Sequence, residues 1–167
     1  MGPIVSVNVD RRVVDPGDDQ WVDAAWNLKE CIRKRDGVLR QRRGFFENAY
    51  RRSTVYLFVD RANRGDLIGF SAVRRDGYIL FLAVDEVYQD EGFGEALIAR
   101  VAEDYSSVTC HARTTNEAAL NFYTHIGFEV QRRIENYYED GGDAYYLQLG
   151  EVESSLTDRL SKLIGGG

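Results

Sequence analysis

Long apolar runs are missing from this chain. No stretch approaches the ~18 to 20 consecutive apolar residues of a membrane-spanning helix, so no membrane contact is expected. The opening residues Met1 to Asp10 lack a basic region followed by an apolar run, which argues against a secretory signal. Cysteine is scarce: Cys31 and Cys110 lie far apart and follow no metal-ligand spacing. No metal site is expected, and the two thiols are read as reduced, in a cytoplasmic protein. Lysine is nearly absent, with three residues beside 18 arginines and 15 aspartates. That bias suits a high-salt cytoplasm or a GC-rich genome. Internal repeats are lacking, and the only low-complexity block is the closing Gly165-Gly166-Gly167.

What is present is one domain's worth of globular sequence: 167 residues, 44% hydrophobic and 29% charged. A net charge of −6 argues against a general nucleic-acid binder. The basic residues are uneven. Between Lys29 and Arg52, nine of them face three acids, a local +6 that leaves −12 for the rest. The plain reading is a solvated, salt-bridged helix face. The sharper one is a rim that attracts an anionic cofactor, an acidic peptide or ribosomal RNA.

Periodicity gives the elements. Ile4 to Val9 alternates and reads as a strand. Asp15-Pro16-Gly17-Asp18 is a turn whose acids are expected to cap a helix over Gln20 to Arg35, broken at Asp36-Gly37. A second helix runs to about Tyr50. Strands follow at Thr54 to Asp60, Asp66 to Arg74 and Tyr78 to Val84, the last apolar throughout and expected to be covered on both faces. The Asp76-Gly77 dipeptide between the last two is a favoured hairpin turn. A helix from about Gly92 to Asp104 precedes a short strand, Val108 to Arg113, with Thr109, His111 and Arg113 on one face. Thr114 and Glu117 have capping-box spacing ahead of a helix from Asn116 to Ile126, with Gly127 at its C-terminal end. Strands Glu129 to Tyr138 and Asp143 to Leu149 close a domain over 1–150. A tail, 151–167, carries an amphipathic helix from Glu153 to Ile164. This order is that of an α+β domain around a mixed, mostly antiparallel sheet of about seven strands flanked by about four helices.

Chemistry enters at Gln89-Asp90-Glu91-Gly92-Phe93-Gly94, between an apolar strand and a helix. Glycines at a helix start let backbone approach a ligand and leave N–H groups pointing outward, an arrangement that binds phosphate. No Gly-Lys-Ser/Thr is present, which excludes a P-loop, and Leu97 stands where a dinucleotide fingerprint needs a third glycine. Downstream come Asn116-Glu117-Ala118-Ala119-Leu120-Asn121-Phe122-Tyr123 and Gly127-Phe128. Together these segments resemble the GNAT acetyltransferases, and the ending Asn136-Tyr137-Tyr138…Asp143-Ala144 resembles their N-terminal acetyltransferase branch.

The resemblance implies acetyl-CoA as co-substrate and direct acetyl transfer to a protein N-terminal α-amine, with the ribosome a possible neighbour. It implies that the two central strands splay, that the pantetheine arm pairs with Leu82, Ala83 and Val84, and that the pyrophosphate sits on the amides of Gln89, Asp90, Glu91, Gly92, Phe93, Gly94 and Glu95. Asn116 and Tyr123 match a second cofactor contact region. Tyr123 matches the general acid, Tyr78 and His111 the base pair, and Tyr137 and Tyr138 the residues that hold substrate backbone. A histidine with reference pKa ~6.5 suits an α-ammonium of ~8 better than a lysine of ~10.4. His125 reads as a helix-capping residue. Asp90 and Glu91 depart from the family's basic loop, and the segment from Arg35 to Gln41 carries no recognisable substrate-pocket signature. Rival readings are a lysine or small-amine acetyltransferase and a catalytically silent acyl-CoA-binding module.

Overall fold

The computed structural model describes residues 8–150. The expected tail helix Glu153 to Ile164, and the start of the first expected strand, lie outside them. The described chain forms two compact units, residues 8–75 with 80–98, and residues 76–79 with 99–150. Four α-helices and seven strands are present among the described residues, the strands in one four-stranded and one three-stranded sheet. The expected α+β architecture is thus observed, with antiparallel pairing in both sheets.

In the first unit the strands are β1 (Val9–Val14), β2 (Thr54–Asp60), β3 (Asp66–Val73) and β4 (Ile79–Val84), whose first residue belongs to the second unit, in that spatial order. Of the expected strand Ile4 to Val9 only residues 8 and 9 are described, and β1 continues in register with β2 to Val14 (Val9 opposite Asp60, Val14 opposite Val55). It is an edge strand with Arg11 and Arg12 exposed, their guanidinium groups over Phe58 and Trp21. Helices α1 (Val22–Asp36) and α2 (Arg43–Arg51) supply Ala25, Leu28, Ile32, Phe46 and Tyr50 to a core shared with Leu57, Phe70, Phe81 and Ala83. Phe46 is its hub, 4.7 Å from Phe81 and 6.1 Å from Phe70 between ring centroids. Removing such an aromatic costs about 3–5 kcal/mol.

One helix-start expectation and one strand-burial expectation are corrected. Trp21 occupies the cap of α1 without a side-chain bond, while Asp18 Oδ1 accepts from Gln20 N ahead of the helix. The acids of the turn therefore stabilise the turn itself. β4 is buried on one face through Ile79, Phe81 and Ala83 and only half-covered on the other, so its continuous apolar run overstates its burial.

The second unit holds β5 (Ser107–Arg113), α4 (Glu117–His125), β6 (Glu129–Ile134) and β7 (Ala144–Gly150), the sheet running β5-β7-β6. Helix α3 (Phe93–Asp104) begins in the first unit and ends in the second. The cap of α4 is Asn116, whose Oδ1 accepts from Ala119 N at 3.1 Å. Thr114 does not act as a capping-box residue, since Asn116 already serves. Gly127 takes a φ of 110° just past the helix end, as expected. β6 stops at Ile134, four residues short of the expected Tyr138, because Asn136 turns the chain with a φ of 52°.

Candidate active site

The glycine turn lies in the first unit. Asp85 N donates to Ile68 O and Asp85 Oδ1 accepts from Val87 N, closing the short 3-10 turn Glu86–Tyr88. Asp90 then adopts a φ of 63° and Gly92 one of 84°, and α3 opens at Phe93. Only Gly92 needs a glycine's conformational freedom; Gly94 is already helical. The first helical bond runs from Ala96 N to Gly92 O, so the N–H groups of Phe93, Gly94 and Glu95 precede the helical ladder. Asp90 and Glu91 are exposed, which keeps their charge in water. Leu82 and Val84 are half-buried on β4, the outermost strand of its sheet, and Ala83 is buried.

Two residues not singled out by the sequence anchor this turn. Tyr88 is buried and its hydroxyl donates to Asp60 Oδ2 at 2.7 Å, while Asp60 Oδ1 accepts from Ala62 N. The half-buried Phe93 ring packs edge-on against Tyr88 and Phe58. Asp60 and Tyr88 stand 28 positions apart at a strand end and in a loop, and no local pattern couples them.

The second unit gathers the acid–base candidates. Gly77 O accepts from Thr109 N, and Tyr78 forms a parallel bridge with Thr109 of β5. A Cβ at position 77 would overlap the Ser107 carbonyl oxygen, so this approach requires glycine. The result sets the Tyr78 hydroxyl 2.7 Å from His111 Nδ1. Tyr137 stacks on the imidazole, ring centroids 4.2 Å apart and planes 14° apart, with its hydroxyl 3.3 Å from the same nitrogen. Near-parallel planes put that oxygen over the imidazole face, which leaves Tyr78 as the stronger hydrogen-bond partner. Tyr146, opposite His111 on β7, contributes a third ring at 5.0 Å. Burial raises the Tyr78 phenol's pKa, and the neighbouring Tyr137 raises it further.

Because β6 ends early, Tyr137 and Tyr138 sit on a loop and escape strand alternation. Tyr138 lies under the Arg113 guanidinium at 4.0 Å and edge-on to Tyr137. The loop is clamped twice. Asp143 accepts from Arg133 at 2.6 Å and from Asn136 N, and Asp140 accepts from Arg113 and from Gly142 N. Burial pushes the Tyr138 phenol up to about 12 against the opposing pull of Arg113.

Tyr123 sits on α4 in edge-on contact with Phe122 and Phe128. Burial raises its pKa well above that of an ordinary phenol, and the nearby Cys110 adds to the shift. Cys110 is buried on the β5 face opposite His111, and burial pushes its thiol up to about 12. Asn116 spends its side-chain oxygen on the α4 cap. His125 is exposed in the last turn of α4. No group of three or more metal-ligating side chains exists among the described residues, and no helix among them is long and apolar enough to cross a membrane.

The basic segment resolves mostly into ion pairs. Arg33 bonds Glu30, Arg35 bonds Asp36, Arg43 bonds Glu47 and Asp23, and Arg51 bonds Asp19. The salt-bridged reading therefore describes most of this face.

The first unit thus holds a glycine turn opening a helix, and the second a tyrosine–histidine pair. Residues 51–130 match the model of the acetyltransferase (GNAT) domain. Among its relatives, N-alpha-acetyltransferase 30 of Xenopus laevis is 39% identical over 80 residues, covering 45% of this chain and 29% of that protein. The N-alpha-acetyltransferase RimI of Mycobacterium tuberculosis is 28% identical over 149 residues, 83% of this chain and 81% of that one. The match spans 29% of the Xenopus relative and 51% of its Saccharomyces cerevisiae counterpart, so the chain accounts for about half or less of these proteins. Two solved structures share the fold. One is a chain of the NatC complex bound to Gag peptide and CoA, with TM-score 0.66, 21% identity, and 86% of this chain and 99% of that one covered. The other is the ribosomal-protein-S18-alanine N-acetyltransferase of Escherichia coli, with TM-score 0.67, 20% identity, and 87% and 97% covered.

Proposed function

We propose that this chain transfers the acetyl group of acetyl-CoA to the α-amine of a protein N-terminus. The observation that carries the proposal is the 2.7 Å contact between Tyr78 and His111 Nδ1, with Tyr137 stacked on the ring. The relatives named N-alpha-acetyltransferase and the CoA-bound neighbour support it. The N–H groups of Phe93, Gly94 and Glu95 fit a diphosphate, and the outer edge of β4 at Leu82 to Val84 offers backbone partners to a pantetheine arm. Residues 1–150 form the catalytic domain on this reading. Two free thiols, one of them exposed, accord with a cytoplasmic location.

The reaction then runs as follows. The amine arrives as an ammonium and gives one proton to the Tyr78 oxygen, which passes its own to His111 Nδ1. A phenol whose pKa is raised stays neutral and works as a relay, leaving the imidazole to hold the charge. The freed nitrogen attacks the thioester carbonyl and the C–S bond breaks. The departing sulfur takes a proton from Tyr123, balanced by the nitrogen's second proton, and His111 returns its proton to water. Tyr137 and Tyr138 hold the substrate backbone, and the Tyr137 stack keeps the imidazole from rotating.

Mass spectrometry of peptides incubated with the protein and acetyl-CoA tests this. Acetylation is expected at free α-amines and not on N-terminally blocked peptides that carry lysine; product only at ε-amines would overturn it. His111→Ala is expected to lower kcat by about 10²–10⁴ while CoA affinity, read by calorimetry, is unchanged. A silent acyl-CoA-binding module would instead bind CoA with no turnover on any peptide.

A further inference from the structure

One feature of the first unit lies outside the proposed chemistry. An open cavity of about 500 Å³ is lined by Trp26, Glu30, Arg33, Gly37 and the run from Arg40 to Arg43. Its volume falls in the ~300–1,000 Å³ range of ligand pockets. Four arginines face one glutamate there. Arg33 and Arg43 are engaged with acids, whereas the exposed Arg42 side chain has no partner among the described residues. Arg42 is also the cap of α2, with no side-chain cap bond and no acid in the first turn. The first helical bond is Phe46 N to Arg42 O, which leaves the N–H groups of Arg43, Gly44 and Phe45 outside the ladder beside the arginines.

The lining holds a second, independent mark. Gln41 Oε1 is buried and has no hydrogen-bond partner among the described residues. An unmet buried carbonyl is destabilising, and a ligand N–H would relieve it. The backbone of Gln41 is held in place, since its carbonyl accepts from the fully buried Lys29 ammonium, which lies 4.6 Å over Trp26.

We propose that this cavity binds an acidic peptide segment, a carboxylate on Arg42 and the α2 amides and a peptide N–H on Gln41. A carboxylate matches the guanidinium fork, and the adjoining amide supplies the donor that a bare anion lacks. A polyanion fits less well. Acids from elsewhere in the chain (Asp19, Asp23, Glu86) neutralise much of the basic segment, and the chain as a whole carries −6.

Fluorescence anisotropy without CoA separates this from the acetyltransferase reading. The probes are a dye-labelled, N-acetylated peptide rich in Asp and Glu, its Asn/Gln counterpart, and an oligouridylate of equal charge. The acidic peptide is expected to bind about tenfold or more tightly than the amide peptide, as loss of a charged hydrogen bond predicts. Arg42→Glu is expected to weaken it about tenfold, and Gln41→Leu to weaken it while raising the thermal midpoint of the free protein. Equal binding of the two peptides, indifference to Arg42→Glu, or tighter binding of the oligouridylate would overturn the proposal. Arg42 is exposed, so charge reversal there leaves folding intact, checked by an unchanged melting curve.

Discussion

The two tyrosines beside His111 divide the work between bonding and packing. Tyr78→Phe removes the 2.7 Å partner and keeps the ring, so kcat is expected to fall by about 10²-fold or more, within the range of a lost proton-transfer partner. Tyr137→Phe keeps the stack and loses only a 3.3 Å contact, so steady-state rates should change much less than in Tyr78→Phe. Reversal of that order would show that Tyr137 carries the proton. At the same scale the two cysteines should part company. Cys31 is exposed, whereas Cys110 is buried with its thiol pushed up to about 12. A thiol reagent at neutral pH should modify one site per folded chain quickly and the second only on unfolding. His111 was legible in the sequence because one histidine on a short strand beside a recognisable motif is conspicuous. Its third aromatic neighbour, Tyr146, was not, since contact across β5 and β7 depends on a register that the sequence does not print.

Elements hold the candidate site residues through a few buried or clamped bonds. The Tyr88–Asp60 bond ties the turn before α3 to the end of β2. Tyr88→Phe should cost about 1–3 kcal/mol of stability, because Asp60 loses a partner while remaining buried, and should weaken CoA affinity with little change in kcat. Denaturant unfolding and calorimetry read the two effects separately. Asp143 plays the matching part for the loop of Tyr137 and Tyr138, through Arg133 and Asn136 N. Most helices and strands were legible from periodicity and glycine signals; β2 was located to the residue. Failures fell where a local pattern was satisfied by something else. Asn116 displaced Thr114 as a cap, and a positive φ at Asn136 cut β6 short. That last error matters most, because it freed both tyrosines from opposite faces of a strand.

For the molecule as a whole, the acid–base groups of the interior set an alkaline limit. Tyr138 and Cys110 are pushed up to about 12 by burial, and Tyr50, Tyr78 and Tyr123 are also raised. These groups release protons in the unfolded chain near ordinary values of 10.0 for the phenols and 9.0 for the thiol. Above those values the folded state binds more protons than the unfolded one, so stability is full below about pH 9 and falls steadily towards about 12. Chemical denaturation at stepped pH should trace that decline; a flat profile would contradict the burial of the phenols. The division into two units has a quieter consequence. Between 76 and 79 the polypeptide visits the second unit for four residues, deposits Tyr78, and returns. Hairpin tips usually welcome insertions and new termini; this one is sealed, since even a methyl group at 77 would collide with Ser107. A gene divided after residue 98 would therefore yield a second fragment that contains the imidazole but not the phenol it leans on.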